Sequence, residues 1–365
     1  TDLSLSEPDF DTPDHIKNAA KKAIDDNFSH YTPVAGYADL RRAVCTKLKR
    51  DNNLDYGPEN ILVSTGAKQS IANAVLAIAD AGDEVIIPTP FWVTYSEIVK
   101  LAGGKVVLVK STVKNNFKIT AQQLEAAITA KTKLFMFSSP CNPSGAVYSK
   151  EELNGLAEVF KQHPAIYILS DEIYEHINYI GKHESIAQFD FLKERVILIN
   201  GLSKAFAMTG WRLGYFAANT EIVKACDKIQ GQFTSAACSI TQRAAIEALT
   251  GNLQPTQLMI EEFRKRRARV MELVKDIPGF ICNEPPGAFY IFPDVSYYFG
   301  KKTSKGETIA NADDLCMYLL NEAHVTTVSG KGFGEPHCIR ISFANSLENI
   351  EKGFKKITGA LAQLS

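Results

Sequence analysis

Neither sign of charge is in surplus in this chain. Forty Lys and Arg stand against 41 Asp and Glu among 365 residues, a formal net charge of −1. That balance excludes a basic surface for nucleic acid or anionic membrane as the organising feature. No apolar run approaches the length of a membrane span, and no secretory segment opens the sequence. There is no internal repeat, no low-complexity tract, no Cys-x-x-Cys and no His-Cys cluster at zinc spacing. The cysteines, Cys45, Cys141, Cys226, Cys238, Cys282, Cys316 and Cys338, are odd in number and scattered. Such a set reads as reduced thiols in a cytoplasm, with no metal. The sequence enters a strand-like segment directly at Thr1, so a further N-terminal piece is expected to precede it.

Two phosphate-binding signatures are also missing. A nicotinamide fold wants Gly-x-Gly-x-x-Gly between a strand and a helix. The only similar string, Gly330-Lys331-Gly332-Phe333-Gly334, precedes no helical pattern, and no Walker-type loop occurs.

What is present is an α/β pattern. From Glu59 to about Asn219, short apolar runs alternate with amphipathic stretches such as Gln69 to Ala79 and Lys150 to Phe160. The runs are Ile61–Val63, Glu84–Ile87, Val106–Val109, Lys133–Phe137, Ile166–Leu169, Val196–Ile199 and Leu213–Ala217. Most are continuous rather than alternating, as strands covered on both faces are, which predicts a largely parallel sheet. The charged stretch Glu261 to Lys275, with Arg264-Lys265-Arg266-Arg267, predicts a helix with a solvated face. Beyond it, Gly287–Phe292, Val325–Val328 and Cys338–Phe343 predict strands of a smaller α+β unit, and Phe299 to Gly306 a mobile loop.

Open α/β sheets place ligands at the carboxyl ends of their strands. After the first run comes Ser64-Thr65-Gly66-Ala67-Lys68, a small-residue turn opening a helix, which suits a phosphate or is simply a turn. After the second comes Trp92, core residue or cofactor stack. After the fourth comes Asn142-Pro143-Ser144-Gly145, where Asn142 is a turn former or a ligand. After the fifth come Asp171 and Tyr174; a carboxylate closing an apolar strand is a helix cap or needs a partner. After the sixth come Ser203, Lys204 and, eight residues on, Arg212. A cofactor carrying an aldehyde, a pyridine nitrogen and a phosphate would use every one of these groups.

On these residues, Asn142-Pro143-x-Gly145, Asp171-x-x-Tyr174 and Ser203-Lys204-x7-Arg212, the sequence resembles the class I aminotransferases, pyridoxal-phosphate enzymes of fold type I. The likeness extends from Ser6-Glu7-Pro8-Asp9-Phe10 to Cys338–Ser342 and is nearest to the bacterial aspartate/prephenate branch. It implies a large cofactor-binding domain over 36–266 and a small domain from 1–35 and 267–365. It implies that Lys204 attaches pyridoxal 5'-phosphate and later shuttles a proton. Asp171 would pair with the pyridine nitrogen, Tyr174 and Asn142 with the phenolic oxygen, and Trp92 would stack on the ring. The phosphate would lie among Ser64, Gly66, Ala67, Lys68, Ser203 and Arg212, with Tyr31 reaching across a homodimer to the neighbouring cofactor.

The same likeness makes Arg340 the clamp for the substrate α-carboxylate and Lys68 the reader of a distal carboxylate, with Ser6, Trp92 and Asn142 also touching substrate and Glu7 nearby. Two departures stand out. The family usually has Gly where this chain has Ser6, and the family's N-terminal arm, which packs on the dimer partner, is not expected within residues 1–365. The expected activity is ping-pong transfer between aspartate, or a related acidic amino acid, and 2-oxoglutarate. Prephenate or aromatic amino acid transamination, a carbon–sulfur lyase and a decarboxylase stay open. A non-enzymatic regulator on this fold would need an attached DNA-binding domain, for which the chain has no room.

Overall fold

Alternation within apolar strands decides how the centre of the molecule is built. The computed structural model describes residues 1–365. Seven strands form the main sheet: β1 (Ile61–Ser64), β2 (Glu84–Pro88), β3 (Lys105–Val109), β4 (Thr132–Ser138), β5 (Tyr167–Asp171), β6 (Val196–Gly201) and β7 (Gly214–Ala217). Along β4, Phe135 and Phe137 enter one core while Leu134 and Met136 enter the other. Along β6, Val196 and Leu198 oppose Ile197 and Ile199 in the same way. Side chains of period two with apolar groups on both faces need helices on both faces, so the runs read as continuous. The strand order is β1-β7-β6-β5-β4-β2-β3. All neighbours are parallel except β7, which runs antiparallel to both β1 and β6. All seven runs expected from the sequence are strands of this sheet.

The smaller sheet has the order β8-β10-β9, with β8 (Tyr290–Ile291), β9 (Val328–Ser329) and β10 (Ile339–Ser342) paired antiparallel. Two of its strands hold only two residues, far shorter than the apolar stretches that announce them. The N-terminal segment joins this unit: Leu3 donates to Thr326 O and accepts from Ser342 N, at 3.0 and 2.8 Å.

Packing crosses the expected domain bounds in two places. Helix Asp14–Asp25 buries Ile16 and Ala20 in the core of the main sheet, not with the small unit expected to include 1–35. Helix Gln254–Lys275 sends Met259 and Phe263, as well as Val270 and Val274, into the small unit's core, so that core recruits residues before 267. Nor is the basic run on this helix simply solvated. Arg266 is buried; it bonds Asp9 at 2.6 Å and reaches Glu262 at 3.4 Å. Arg264 and Arg267 donate to the carbonyls of Tyr179 and Pro285. The stretch 299–306, expected to be a mobile loop, is tied to the C-terminus by reciprocal backbone bonds between Lys302 and Ser365, at 2.9 and 3.1 Å. No helix is long and apolar enough to cross a membrane. All seven cysteines are free thiols.

Candidate active site

At the carboxyl edge of the parallel strands lies a cavity of about 360 Å³, walled on one side by the N-terminal segment. It gathers Ser6, Ala67, Lys68, Trp92, Asn142 and Asp171. Tyr174, Ser203, Lys204 and Arg212 also line it.

One end of the cavity is built for an anion. The turn after β1 bends through Gly66, at φ 86°, into helix Ala67–Ile78, whose first N–H groups have no partner within the helix. Arg212 takes the left-handed conformation (φ 53°), and its Nη1 donates to Thr209 O at 2.8 Å. Its Nη2 would lie 2.4 Å from a Cβ on Gly66, so the guanidinium rests on the bare backbone of the turn. Gly214, at the start of β7, is equally confined: a Cβ there would meet Ala67 N at 2.2 Å. The helix terminus and the guanidinium thus place two positive ends side by side. Ser203 is buried beside them. Ser64 is not on the cavity wall. It is fully buried at the end of β1, its hydroxyl without a partner, so its place is beneath the turn.

At the centre stands Lys204, three residues past the end of β6. Its ammonium donates to the carbonyl of Ser6. Burial pushes this amine down to about 8, Arg340 and Arg212 act the same way, and Glu7 and Asp171 oppose them. About a tenth of it is then unprotonated at neutral pH, against less than about a thousandth for a free lysine.

Asp171 closes β5. Its Oδ2 accepts from the Tyr95 hydroxyl at 2.6 Å and its Oδ1 from Ile173 N at 3.2 Å. Burial pushes the carboxyl up to about 6, against the Tyr95 and Ile173 hydrogen bonds. No cationic side chain is bonded to it, so a buried carboxylate faces the cavity without a positive partner.

Behind the wall residues Asn142 and Tyr174 runs a polar chain through Arg340 and Tyr290, which do not themselves line the cavity. Arg340, buried on β10, donates from Nη1 to Asn142 Oδ1 at 2.9 Å and from Nη2 to Ser4 O at 2.7 Å; its Nε has no partner. The guanidinium lies over the ring of Tyr290, 4.7 Å from the centroid. The Tyr290 and Tyr174 hydroxyls are 2.7 Å apart. At the mouth, the Lys68 ammonium sits over the Trp92 ring at 4.9 Å, and Glu7 Oε2 accepts from Thr209 at 2.7 Å.

Tyr31 lies elsewhere. It is 99% exposed, on a separate depression shared with His30, Ser235 and Cys238. Within one chain it touches nothing in the cavity. Sequence reasoning missed Tyr95 and Tyr290. Tyr95 falls three residues after Trp92, on the same face of one helical turn, and that spacing was the available signal. Tyr290 carried none, because only the folding of the small unit brings it to Tyr174.

A parallel sheet capped at its carboxyl edge by a smaller antiparallel unit, with a depressed lysine and an unpaired aspartate between them, is the architecture of the fold type I pyridoxal-phosphate enzymes. The chain belongs to the class I and II aminotransferases: that family's sequence pattern matches residues 1–357. It is 46% identical over its whole length to a probable aspartate/prephenate aminotransferase of Rickettsia felis, covering 89% of that protein. It is 45% identical over 99% of its length to a bifunctional aspartate aminotransferase and glutamate/aspartate-prephenate aminotransferase of Petunia hybrida, covering 76% of it. Among solved structures, the aspartate aminotransferase of Rhizobium meliloti superposes with a TM-score of 0.97 at 43% identity, over 100% of this chain and 92% of that one.

Proposed function

We propose that this protein is a pyridoxal 5'-phosphate-dependent aspartate aminotransferase, passing an amino group from aspartate, or a related acidic amino acid, to 2-oxoglutarate in two half-reactions. One observation carries the reading: a buried amine lowered to about 8 shares one cavity with a buried carboxylate that has no cation. The residues fit the cofactor. Asp171 lacks the positive partner that a protonated pyridine nitrogen would provide, and Arg212 over the helix terminus is an anion site of phosphate chemistry. When bound, the cofactor supplies an aldehyde for the amino group and an electron-poor ring that stabilises negative charge on the adjoining carbon.

Each side chain then has a task. Lys204 would attach the cofactor and carry the proton removed from the substrate's Cα, work that needs the unprotonated amine, which burial makes more available. Asp171, whose charged form the Tyr95 hydrogen bond favours, would pair with the ring nitrogen and keep it protonated. Tyr174 and Asn142 would hold the ring oxygen, Trp92 would pack against the ring, and the Ala67 and Lys68 N–H groups, Ser203 and Arg212 would hold the phosphate. Arg340, its Nη1 held by Asn142 Oδ1 and its Nη2 by Ser4 O, would clamp the substrate α-carboxylate. Lys68, poised on Trp92 at the mouth, reads the distal carboxylate.

The names of the relatives favour prephenate as a second substrate, and its ring carboxylate suits the same lysine. A homodimer is supported by the exposure of Tyr31 and of Phe233, 73% exposed. Seven free thiols support a cytoplasmic setting. The test is direct. The purified chain mixed with pyridoxal 5'-phosphate should turn yellow, with a mass adduct at Lys204 that Lys204→Ala removes. Aspartate and glutamate should then bleach the colour. A colourless protein with no adduct, or one bleached by no acidic amino acid, ends this reading.

A further inference from the structure

Behind the wall that carries Asp171 lies a second set of ionisable groups that the reaction does not touch. Asp171 and Tyr174 face the cavity, while Ser170, Glu172 and Glu175 turn to the other side. Glu172 Oε1 accepts from the hydroxyls of Ser170 and Ser185, at 2.8 and 2.6 Å, and its Oε2 is 2.8 Å from His183 Nε2. Glu175 meets the Lys47 ammonium and accepts from Asn52 Nδ2 at 2.8 Å; Lys47 also donates to Asn52 Oδ1 at 2.8 Å. Glu172 is 1% exposed, Lys47 2% and Glu175 6%. Ligand atoms of Glu172, Glu175 and His183 lie within 4.8 Å of one another, a spacing that would suit a metal ion. The chain supplies its own cation there, because the Lys47 ammonium is already on Glu175.

The placement of these pairs is what matters. Glu172 directly follows Asp171, and Glu175 directly follows Tyr174. Glu172 N also donates to Ile199 O of β6, and Glu175 N to Glu172 O, both at 2.9 Å. A buried ion pair recovers its desolvation only in a narrow geometry, so it fixes backbone more than it adds stability. We infer that Glu172 with His183, and Glu175 with Lys47, are positioning residues: they hold residues 170–176 from behind, fix where Asp171 and Tyr174 stand, and set the field at the Asp171 carboxyl. The inference rests on the aminotransferase reading only for the role of Asp171 and Tyr174.

The surrounding charges agree. Burial draws His183 down, but Glu172 outweighs it and holds the imidazole above its ordinary value. Burial draws Glu175 up, but Lys47 and both histidines hold it well below the carboxylate range. Around this network stand Asp51, His176, Tyr56 and Tyr215. Asp171 itself faces Tyr95 from helix Thr94–Leu101, Cys141 after β4, Tyr174, Lys204 after β6, and Glu172.

The test is a titration of the full chain without cofactor, 13C-labelled on its aspartate carboxyls, with the Asp171 signal assigned by its loss in Asp171→Asn. Glu172→Gln keeps the shape and removes a like charge, so the Asp171 midpoint should fall by about half a unit or more. His183→Gln removes the compensating charge, so the midpoint should rise by a similar amount. The double variant Glu172→Gln/His183→Gln should return toward wild type. A purely structural role would lower the thermal midpoints and leave the Asp171 titration in place; that result, or two shifts of the same sign, overturns the inference. Should Glu172→Gln not fold, the Asp171 midpoint in His183→Gln alone decides: a rise supports the inference and an unmoved midpoint overturns it. In the loaded enzyme, the acid limb of kcat/KM should follow the same order. If the wild-type chain takes up no cofactor, the functional reading falls while the carboxyl titration still decides this one.

Discussion

The Tyr95 hydroxyl stands 2.6 Å from Asp171 Oδ2, and both groups are buried. That bond favours the charged carboxylate against its burial, which holds Asp171 up to about 6. Tyr95→Phe removes it. A buried hydrogen bond to a charged group is worth about 1.5–3 kcal/mol, roughly one pH unit or more. The acid limb of the activity profile should therefore move to higher pH by about that much, read from kcat/KM against pH. An unmoved limb would show that Tyr95 only packs.

Lys204 should cost the cofactor-free protein stability. Its folded pKa, about 8, lies below the ordinary lysine value of 10.5, so between those values the unfolded chain binds more protons. Stability then rises as pH climbs from 8 to 10.5, and the full cost is present below 8. Lys204→Met should raise the thermal midpoint by a few degrees at pH 7, an effect of order 1–3 kcal/mol. The gain should vanish above about pH 10.5. Asp171 works in the opposite range: its raised pKa means that stability is lost as pH rises from about 4 through 6.

Lys68→Ala separates acidic from aromatic substrates. Its ammonium lies over Trp92 at the mouth and makes no ion pair. KM for aspartate should rise about tenfold or more, the loss of one charge-assisted contact, with KM for an aromatic amino acid changing little. Equal changes for both would remove Lys68 from the substrate reading.

Arg340→Lys tests the clamp. The guanidinium is braced by Asn142 and Ser4, and a lysine cannot keep both braces and still offer a fork. A fall in kcat/KM of about a hundredfold is expected. Far-UV circular dichroism should be unchanged.

Gly66→Ala should weaken phosphate binding with little change in fold. Its φ is 86°, and the new methyl would press on Arg212 Nη2 at 2.4 Å. The terminal guanidinium yields before the backbone does. Retention of pyridoxal 5'-phosphate on gel filtration should fall while the cofactor-free protein keeps its compactness. Full retention would show that Arg212 does not hold the phosphate.

Much of this was legible from residue order. The seven strands showed because each is apolar on both faces, and most cavity residues showed because they follow a strand end; Ser6 and Glu7, ahead of every strand, showed only through the family likeness. The small unit was harder. With strands of two residues, β8 and β9 have no period to read. Buried Arg266 looked like surface because nothing local signals Asp9, more than 250 residues away, as its partner. Glu172 and His183 were invisible for a similar reason: a carboxylate beside Asp171 reads as one of a polar pair until the fold shows that the two point apart. Tyr31, exposed and away from the cavity in the single chain, has a role only under the proposed homodimer.

The reversed course of β7 decides where Arg212 can be. A strand of four residues spans roughly 13 Å, the depth of the sheet at that point. In a parallel arrangement the residues just before β7 would emerge at the opposite rim, away from Lys204. Because this one strand descends while its neighbours climb, the loop leading into it opens on the same rim where the others finish. A short connection from Lys204 thus delivers an arginine to the helix terminus at Ala67, with no crossover helix in between.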